Sequence, residues 1–175
     1  MKKLLIVVDY QVDFVDGALG FSEAASIEGR IAKKIRAYRD AGYDVAFTFD
    51  THGDNYLETQ EGKKLPVPHC ILESAGWELF GKIKELVRDD DRLFTKPCFG
   101  SAELFDFLRG SGYCLIELVG VVTNICVISN AVLAKTALPE AEVLVDAAYC
   151  ASNDKALHEK ALDVMESLQI SVTGR

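Results

Sequence analysis

Residues Glu117 to Asn130 read ELVGVVTNICVISN. The stretch is entered through Leu115 and Ile116 and continues through Leu118 and Val119, an apolar run typical of a strand covered on both faces. It closes with helical spacing. Between the two lies a turn, Gly120-Val121-Val122-Thr123, with Cys126 just beyond it. A strand that feeds a helix through a short turn is the repeating unit of a parallel α/β sheet. A thiol at that junction lies beside unpaired backbone N–H groups and the positive end of a helix dipole, both of which favour the thiolate. Cys126 is therefore a candidate nucleophile.

The same alternation extends to both sides. Lys3–Val8 reads as a first strand, followed by Asp9 and a loop containing Gly17 and Gly20. Ile27, Ile31 and Ile35 lie four apart and predict a helix from about Glu23 to Arg39, with Arg30, Lys33, Lys34 and Arg36 as its polar surroundings. Val45–Phe49 is a second strand, ending at Asp50-Thr51-His52. Gly53 to Pro68 has no sustained period and reads as a long loop, a length usually associated with function. Trp77–Val87 predicts a helix, Asp91–Thr95 a third strand, and Ala102–Leu108 a short helix capped by Ser101. Tyr113–Val119 is the fourth strand, Asn124–Thr136 the helix after it, and Glu142–Val145 the fifth strand. A last helix capped by Ser152 and a sixth strand, Ile170–Thr173, complete the series. The expected fold is α/β: a three-layer, doubly wound, mainly parallel sheet with helices on both faces, in a single domain over residues 1–175.

Composition narrows the functions open to such a fold. A formal net charge of −8 lacks the basic footprint needed for sequence-independent nucleic-acid binding or for docking on anionic lipid. The opening MKKLLIVVDY has the lysines of a signal peptide, but its apolar run stops at Asp9 without a cleavage site, so it is read as a strand. No stretch approaches the roughly 20 apolar residues of a membrane span. The five cysteines, Cys70, Cys98, Cys114, Cys126 and Cys150, include no CxxC pair, which argues against a disulfide framework or a structural zinc site. A cytoplasmic protein is expected.

Two constellations remain. Asp9, Asp50, His52, Lys96 and Cys126 all fall at or just past a predicted strand's C-terminal end, the edge where open α/β sheets bind ligands. Among them, Asp9 offers a proton shuttle, Lys96 a charge partner, and the backbone N–H groups of Val122 and Cys126 an oxyanion site beside the nucleophile. The competing reading is an Asp that caps a turn, a solvated Lys and a core Cys. The second constellation is Asp50, His52, Glu61 and His69. Asp-x-His puts two side chains on one side of an extended segment, and two imidazoles with carboxylates suit zinc, iron or manganese. Asp54 and Glu58 are alternative oxygen ligands in the same loop. The third histidine, His158, reads as a surface or packing residue.

LLIVVDYQVDF around Asp9, FTFDTH at Asp50, PVPHC at His69, TKPCFGS at Lys96 and GVVTNICV at Cys126, in this order, resemble the isochorismatase-like cysteine hydrolases, and among them the nicotinamidase branch. The resemblance implies a catalytic triad of Asp9, Lys96 and Cys126, and a cis peptide at Val121-Val122 that contributes to the oxyanion hole. It implies a divalent transition metal, zinc first, on Asp50, His52 and His69 with Glu61 as a further ligand. It also implies hydrolysis of a small-molecule carboxamide, nicotinamide, through a Cys126 thioester in NAD salvage, with Phe14 stacking on the ring and Gln11 in the pocket. A homo-oligomer is expected. Relatives that hydrolyse isochorismate lack the nucleophilic cysteine and the metal histidines; relatives acting on ureido compounds keep the triad but usually lack the metal. A binding protein on the same fold would leave Cys126 unreactive.

Overall fold

The computed structural model describes residues 1–175. Six strands form one parallel sheet in the order β3-β2-β1-β4-β5-β6: β1 (Lys3–Val8), β2 (Asp44–Asp50), β3 (Arg92–Lys96), β4 (Leu115–Val121), β5 (Glu142–Ala151) and β6 (Ser171–Thr173). The order reverses between β1 and β4. At that switch point the two strands diverge into opposite crossovers and leave a crevice at their carboxyl ends. Alternation of side chains splits the apolar core in two. Leu4, Ile6 and Val8 pack under α6 (Ala102–Leu108), α7 (Ile128–Ala137) and α8 (Lys155–Ser167), while Leu5 and Val7 pack with Ile31 and Ile35 of α3 (Glu28–Asp40) on the other face. No helix is long and apolar enough to cross a membrane.

Several local expectations are corrected. The helix expected from Glu23 to Arg39 is two helices, α2 (Ser22–Ser26) and α3, interrupted at Ile27. Lys34, expected on its polar face, instead reaches inward to Glu117 and Asp146 on β4 and β5, with its ammonium 3.8 Å from the centre of the Tyr149 ring. Only α5 (Gly81–Glu85) of the expected Trp77–Val87 helix forms. Ahead of it, Leu79 makes an antiparallel bridge with Gln11, and the N–H of Phe80 donates to Tyr10 O at 2.9 Å, so the segment is spent on pairing. Strand β5 runs six residues past its expected end. Asp146 does not break it, because one of its oxygens accepts the Ala148 N–H at 3.2 Å and the other takes Lys34. Asp154, not Ser152, caps α8, accepting from the Leu157 N–H at 3.0 Å. The long loop contains a 3-10 turn, Tyr56–Glu58, and α4 (Gln60–Lys64), capped by Thr59, which accepts the Gly62 N–H at 3.0 Å. That short helix presents Glu61.

Gly120 sits where β4 approaches β1 most closely. Its φ is 118°, and a Cβ there would lie 2.2 Å from Val8 O. Alanine at this position combines a disfavoured backbone with a backbone clash, and is expected to cost about 3 kcal/mol or more. Chemical denaturation measures it; an unchanged midpoint for Gly120→Ala would contradict the close β1–β4 contact. The strands it would force apart are the two that carry Asp9 and Cys126.

Candidate active site and metal centre

Strand register brings the two constellations together. Asp9 follows β1 in a left-handed conformation (φ 45°), and Thr48 of neighbouring β2 holds it: the Thr48 hydroxyl donates to Asp9 Oδ1 at 2.6 Å. Asp50 and Lys96 are register partners at the ends of β2 and β3. Cys126 lies in a π turn, Thr123–Val127, between β4 and α7, and the peptide joining Val121 and Val122 is cis. Lys96 is the hub. Its Nζ lies 2.7 Å from Asp9 Oδ2, and it donates to Asp50 Oδ1 at 3.1 Å, to Cys98 O at 3.0 Å and to Cys126 Sγ at 3.5 Å. The Asp9 contact is a buried ion pair. Asp9, Lys96 and Cys126 are all buried.

Burial sets the proton inventory. It would pull the Lys96 ammonium down, but the Asp9 and Asp50 carboxylates hold it up, so the lysine is charged. Burial raises the Asp9 carboxyl above its ordinary range, with Lys96 opposing and Asp50 assisting. Burial and then the Asp9 carboxylate push the Cys126 thiol well above an ordinary thiol, and Lys96 only offsets part of this. The expected lowering by the turn is therefore reversed: the enclosed anion loses more from water than the turn and the lysine return. At rest the proton stays on sulfur, beside a carboxylate of raised basicity.

Asp50, His52, Glu61 and His69 converge, with one potential ligand atom from each within 4.8 Å of all the others. Asp50 Oδ2 lies 3.0 Å from His52 Nε2 and 3.3 Å from His69 Nε2, and Glu61 Oε1 lies 4.0 and 3.8 Å from the same nitrogens. His69 Nδ1 lies 2.8 Å from Val67 O, which fixes the proton there and leaves the Nε2 lone pair facing the cluster. Two imidazoles and two carboxylates on one point match the donor set of a divalent transition metal, so these residues fit such an ion. Against burial, His52, His69 and Lys96 hold Asp50 well below the usual carboxylate range, as a ligand requires. Asp54 and Glu58 lie outside this convergent group.

Members of both constellations, though not Asp9, Lys96 or His52, line one cavity of about 380 Å³. Cys126, Asp50, Glu61 and His69 line its polar part; Phe14, Phe21, Leu65, Phe99, Val122 and Ile125 supply apolar walls. Phe14 is the expected aromatic, its ring centre 5.5 Å from that of His69. Gln11 is not in the pocket. It is fully buried, and its amide accepts the Asp50 N–H at 2.8 Å and donates to Asp50 O at 2.9 Å and Trp77 O at 2.8 Å. An amide with both ends satisfied by backbone has nothing left for a ligand.

Residues the sequence did not single out complete the arrangement. Asn130 Nδ2 donates to Cys126 O at 2.8 Å and Phe99 O at 3.1 Å, and its Oδ1 accepts the Ser101 N–H at 3.0 Å. One buried side chain thus ties the turn of Cys126 to the loop after Lys96. Tyr56 packs edge-on against both imidazoles, 4.8 Å from His52 and 5.0 Å from His69 between ring centres. His158, read as a surface or packing residue, is hydrogen-bonded to Thr123 Oγ1 at 2.9 Å, at the start of the same π turn. An asparagine four residues after the cysteine was the one signal available for Asn130.

Residues 3–175 match the family model of the isochorismatase domain. The chain belongs to the isochorismatase family. This isochorismatase-family hydrolase superimposes with a TM-score of 0.87 on a nicotinamidase from Bacillus subtilis, 29% identical over 99% of both chains. It is similar to a pyrazinamidase from Pyrococcus horikoshii solved in complex with zinc, 27% identical over 100% of both chains, TM-score 0.86. It shares its fold with an N-carbamoylsarcosine amidase from Thermoplasma acidophilum, 23% identical, covering 99% of this chain and 96% of that one, TM-score 0.81. No curated protein sequence matches it.

Proposed function

We propose that this isochorismatase-family hydrolase is a metal-containing cysteine amidohydrolase that converts nicotinamide and water to nicotinate and ammonia, a step of NAD salvage. One observation carries the reading: Cys126, backed by the buried Lys96 and Asp9, and Asp50, Glu61 and His69 of the four-residue ligand group line the same cavity. Asp9 takes the thiol proton as Cys126 Sγ attacks the carboxamide carbon. The N–H groups of Val122 and Cys126 stabilise the oxyanion, and Lys96 balances the negative charge shared by sulfur and Asp9. Asp9 passes its proton to the departing nitrogen, releasing ammonia and leaving a thioester on Cys126. It then accepts a proton from water, whose oxygen attacks the thioester carbon, and returns that proton to sulfur as the carboxylate leaves. Asp50, His52, Glu61 and His69 would hold a zinc, iron or manganese ion, which would supply Lewis-acid anchoring of the substrate ring. Phe14 stacks on the ring.

Ammonia release across nicotinamide, pyrazinamide and N-carbamoyl amines tests the assignment. Turnover of the pyridine and pyrazine carboxamides is expected; turnover of the ureido compounds alone would overturn it. Chelation of the metal, or His52→Ala, is expected to reduce nicotinamide turnover by about 100-fold or more. Added zinc should restore the chelated protein and not the variant. Full activity in protein shown by elemental analysis to be metal-free would refute the ligand assignment.

The pH dependence follows from Asp9. The mechanism needs its carboxylate, and burial raises its pKa, so kcat/KM is lost as pH falls through a value above the roughly 3.9 of a free aspartate. An acid limb centred at or below that value, measured with saturating metal, would count against Asp9 as the base.

A further inference from the structure

We propose that Asp13 is a positioning residue that sets both histidines of the metal group through the backbone of Cys70. This rests on reading Asp50, His52, Glu61 and His69 as metal ligands. Asp13 touches none of the four. Its Oδ2 accepts the Cys70 N–H at 2.8 Å, and its Oδ1 accepts the Ala18 N–H at 3.1 Å. Cys70 follows His69 and is left-handed (φ 47°), a conformation uncommon for a non-glycine residue. The other end of the same residue is also engaged: Cys70 O accepts the His52 N–H at 3.0 Å. One carboxylate thus holds a single left-handed residue that leads directly into His69 and carries the backbone of His52.

The surroundings are built for that carboxylate. A Cβ on Gly76 would lie 2.1 Å from Asp13 Oδ2, and one on Gly17 would lie 2.4 Å from Oδ1. Gly76 has no positive φ and the three atoms nearest that Cβ all belong to the Asp13 carboxylate, so the space taken by that group accounts for its lack of a side chain; at Gly17 the Asp13 Cα, 2.7 Å away, excludes a Cβ as well. Charge matters as well as shape, because a carboxylate accepting two backbone N–H groups makes stronger bonds than a neutral amide. Replacing it frees Cys70 to leave the left-handed region, and the two Nε2 atoms then lose their common point.

Cobalt(II) titration of the full-length protein, stripped of metal beforehand and followed by visible absorption, tests this. In Asp13→Asn, which keeps size and one acceptor oxygen, the Kd for cobalt is expected to rise about tenfold; in Asp13→Ala, up to about 100-fold. The cobalt absorption bands should shift in both. Alkylation of Cys126 by iodoacetamide in the metal-free protein should stay at the wild-type rate, since Asp13 contacts none of Cys126, Lys96 and Asp9. Wild-type cobalt affinity and spectrum in Asp13→Asn would overturn the proposal, even if Asp13→Ala failed to fold. So would a fall in Cys126 alkylation that parallels the loss of affinity, which would mark a general structural defect. A wild-type protein that binds no cobalt would overturn the ligand reading itself, a result distinct from equal binding by wild type and variants.

Discussion

Cys126→Ala is expected to lower ammonia release from nicotinamide by about 10⁴-fold or more while leaving the protein folded. The size of the loss follows from what the sulfur does. In the proposed mechanism it forms the bond that splits amide hydrolysis into two easier displacements, and it is the only thiol that contacts Lys96 Nζ, at 3.5 Å. Asp9 remains in Cys126→Ala but has only water to activate, at a carbon that water attacks far more slowly than a thiolate does. The fold survives because the truncation removes a single atom from one member of a core cluster of 21 buried residues. That cavity costs about 1 kcal/mol, far less than the truncations of large side chains. Cys126→Ser keeps the shape and is expected to be nearly as inactive, because a serine hydroxyl holds its proton more tightly than even this buried thiol. Retained turnover in either variant would refute the mechanism; loss of folding, read by the thermal midpoint, would make Cys126 a packing residue.

Lys96→Met is expected to damage activity and stability together. The ammonium lies within 3.1 Å of two carboxylates that have almost no access to water. Methionine fills most of the volume and supplies no charge, so Asp9 loses its only cation and Asp50 is left with His52 and His69 alone. Breaking a buried ion pair from one side costs about 3–5 kcal/mol, because the remaining charge stays desolvated. The carboxylates escape part of this by binding a proton, and the protonated Asp9 can no longer accept one from sulfur. Loss of the base and of the charge opposite the developing thiolate should lower kcat/KM by about 10³-fold or more. The urea midpoint reads the stability and ammonia release reads the rate. Wild-type stability, or more than a tenth of wild-type activity, would show that Lys96 is not the hub that the contact geometry describes.

Residue pattern and structure agree where the physics is local and repetitive. The apolar positions of Lys3–Val8 and Leu115–Val119 announce strands because both faces are covered, and Asp9, Asp50 and Lys96 stand at strand ends; Glu117 and Asp146 lie inside strands, where Lys34 pairs with both. Parallel topology then brings those ends to one edge. The loop's polar residues meet as well, but Glu61, Glu58 and Asp54 could be separated only once α4 and its Thr59 cap had been seen. What escaped the sequence depends on contacts between distant segments. Gln11 is claimed by the Asp50 backbone, 39 residues away, and Trp77–Phe80 gives up helix to pair beside Gln11. Lys34 turns inward because Glu117 and Asp146 wait beneath it. The Cys126 thiol is raised rather than lowered because its depth, which no motif encodes, outweighs its position at a turn.

The thioester itself offers the most direct test. Protein mixed with nicotinamide during turnover, quenched in acid and digested, should yield the peptide containing Cys126 carrying a nicotinoyl group, and the adduct should disappear as substrate is exhausted. Turnover with that peptide unmodified throughout, and with an equally fast rate in Cys126→Ala, would contradict covalent catalysis at this cysteine.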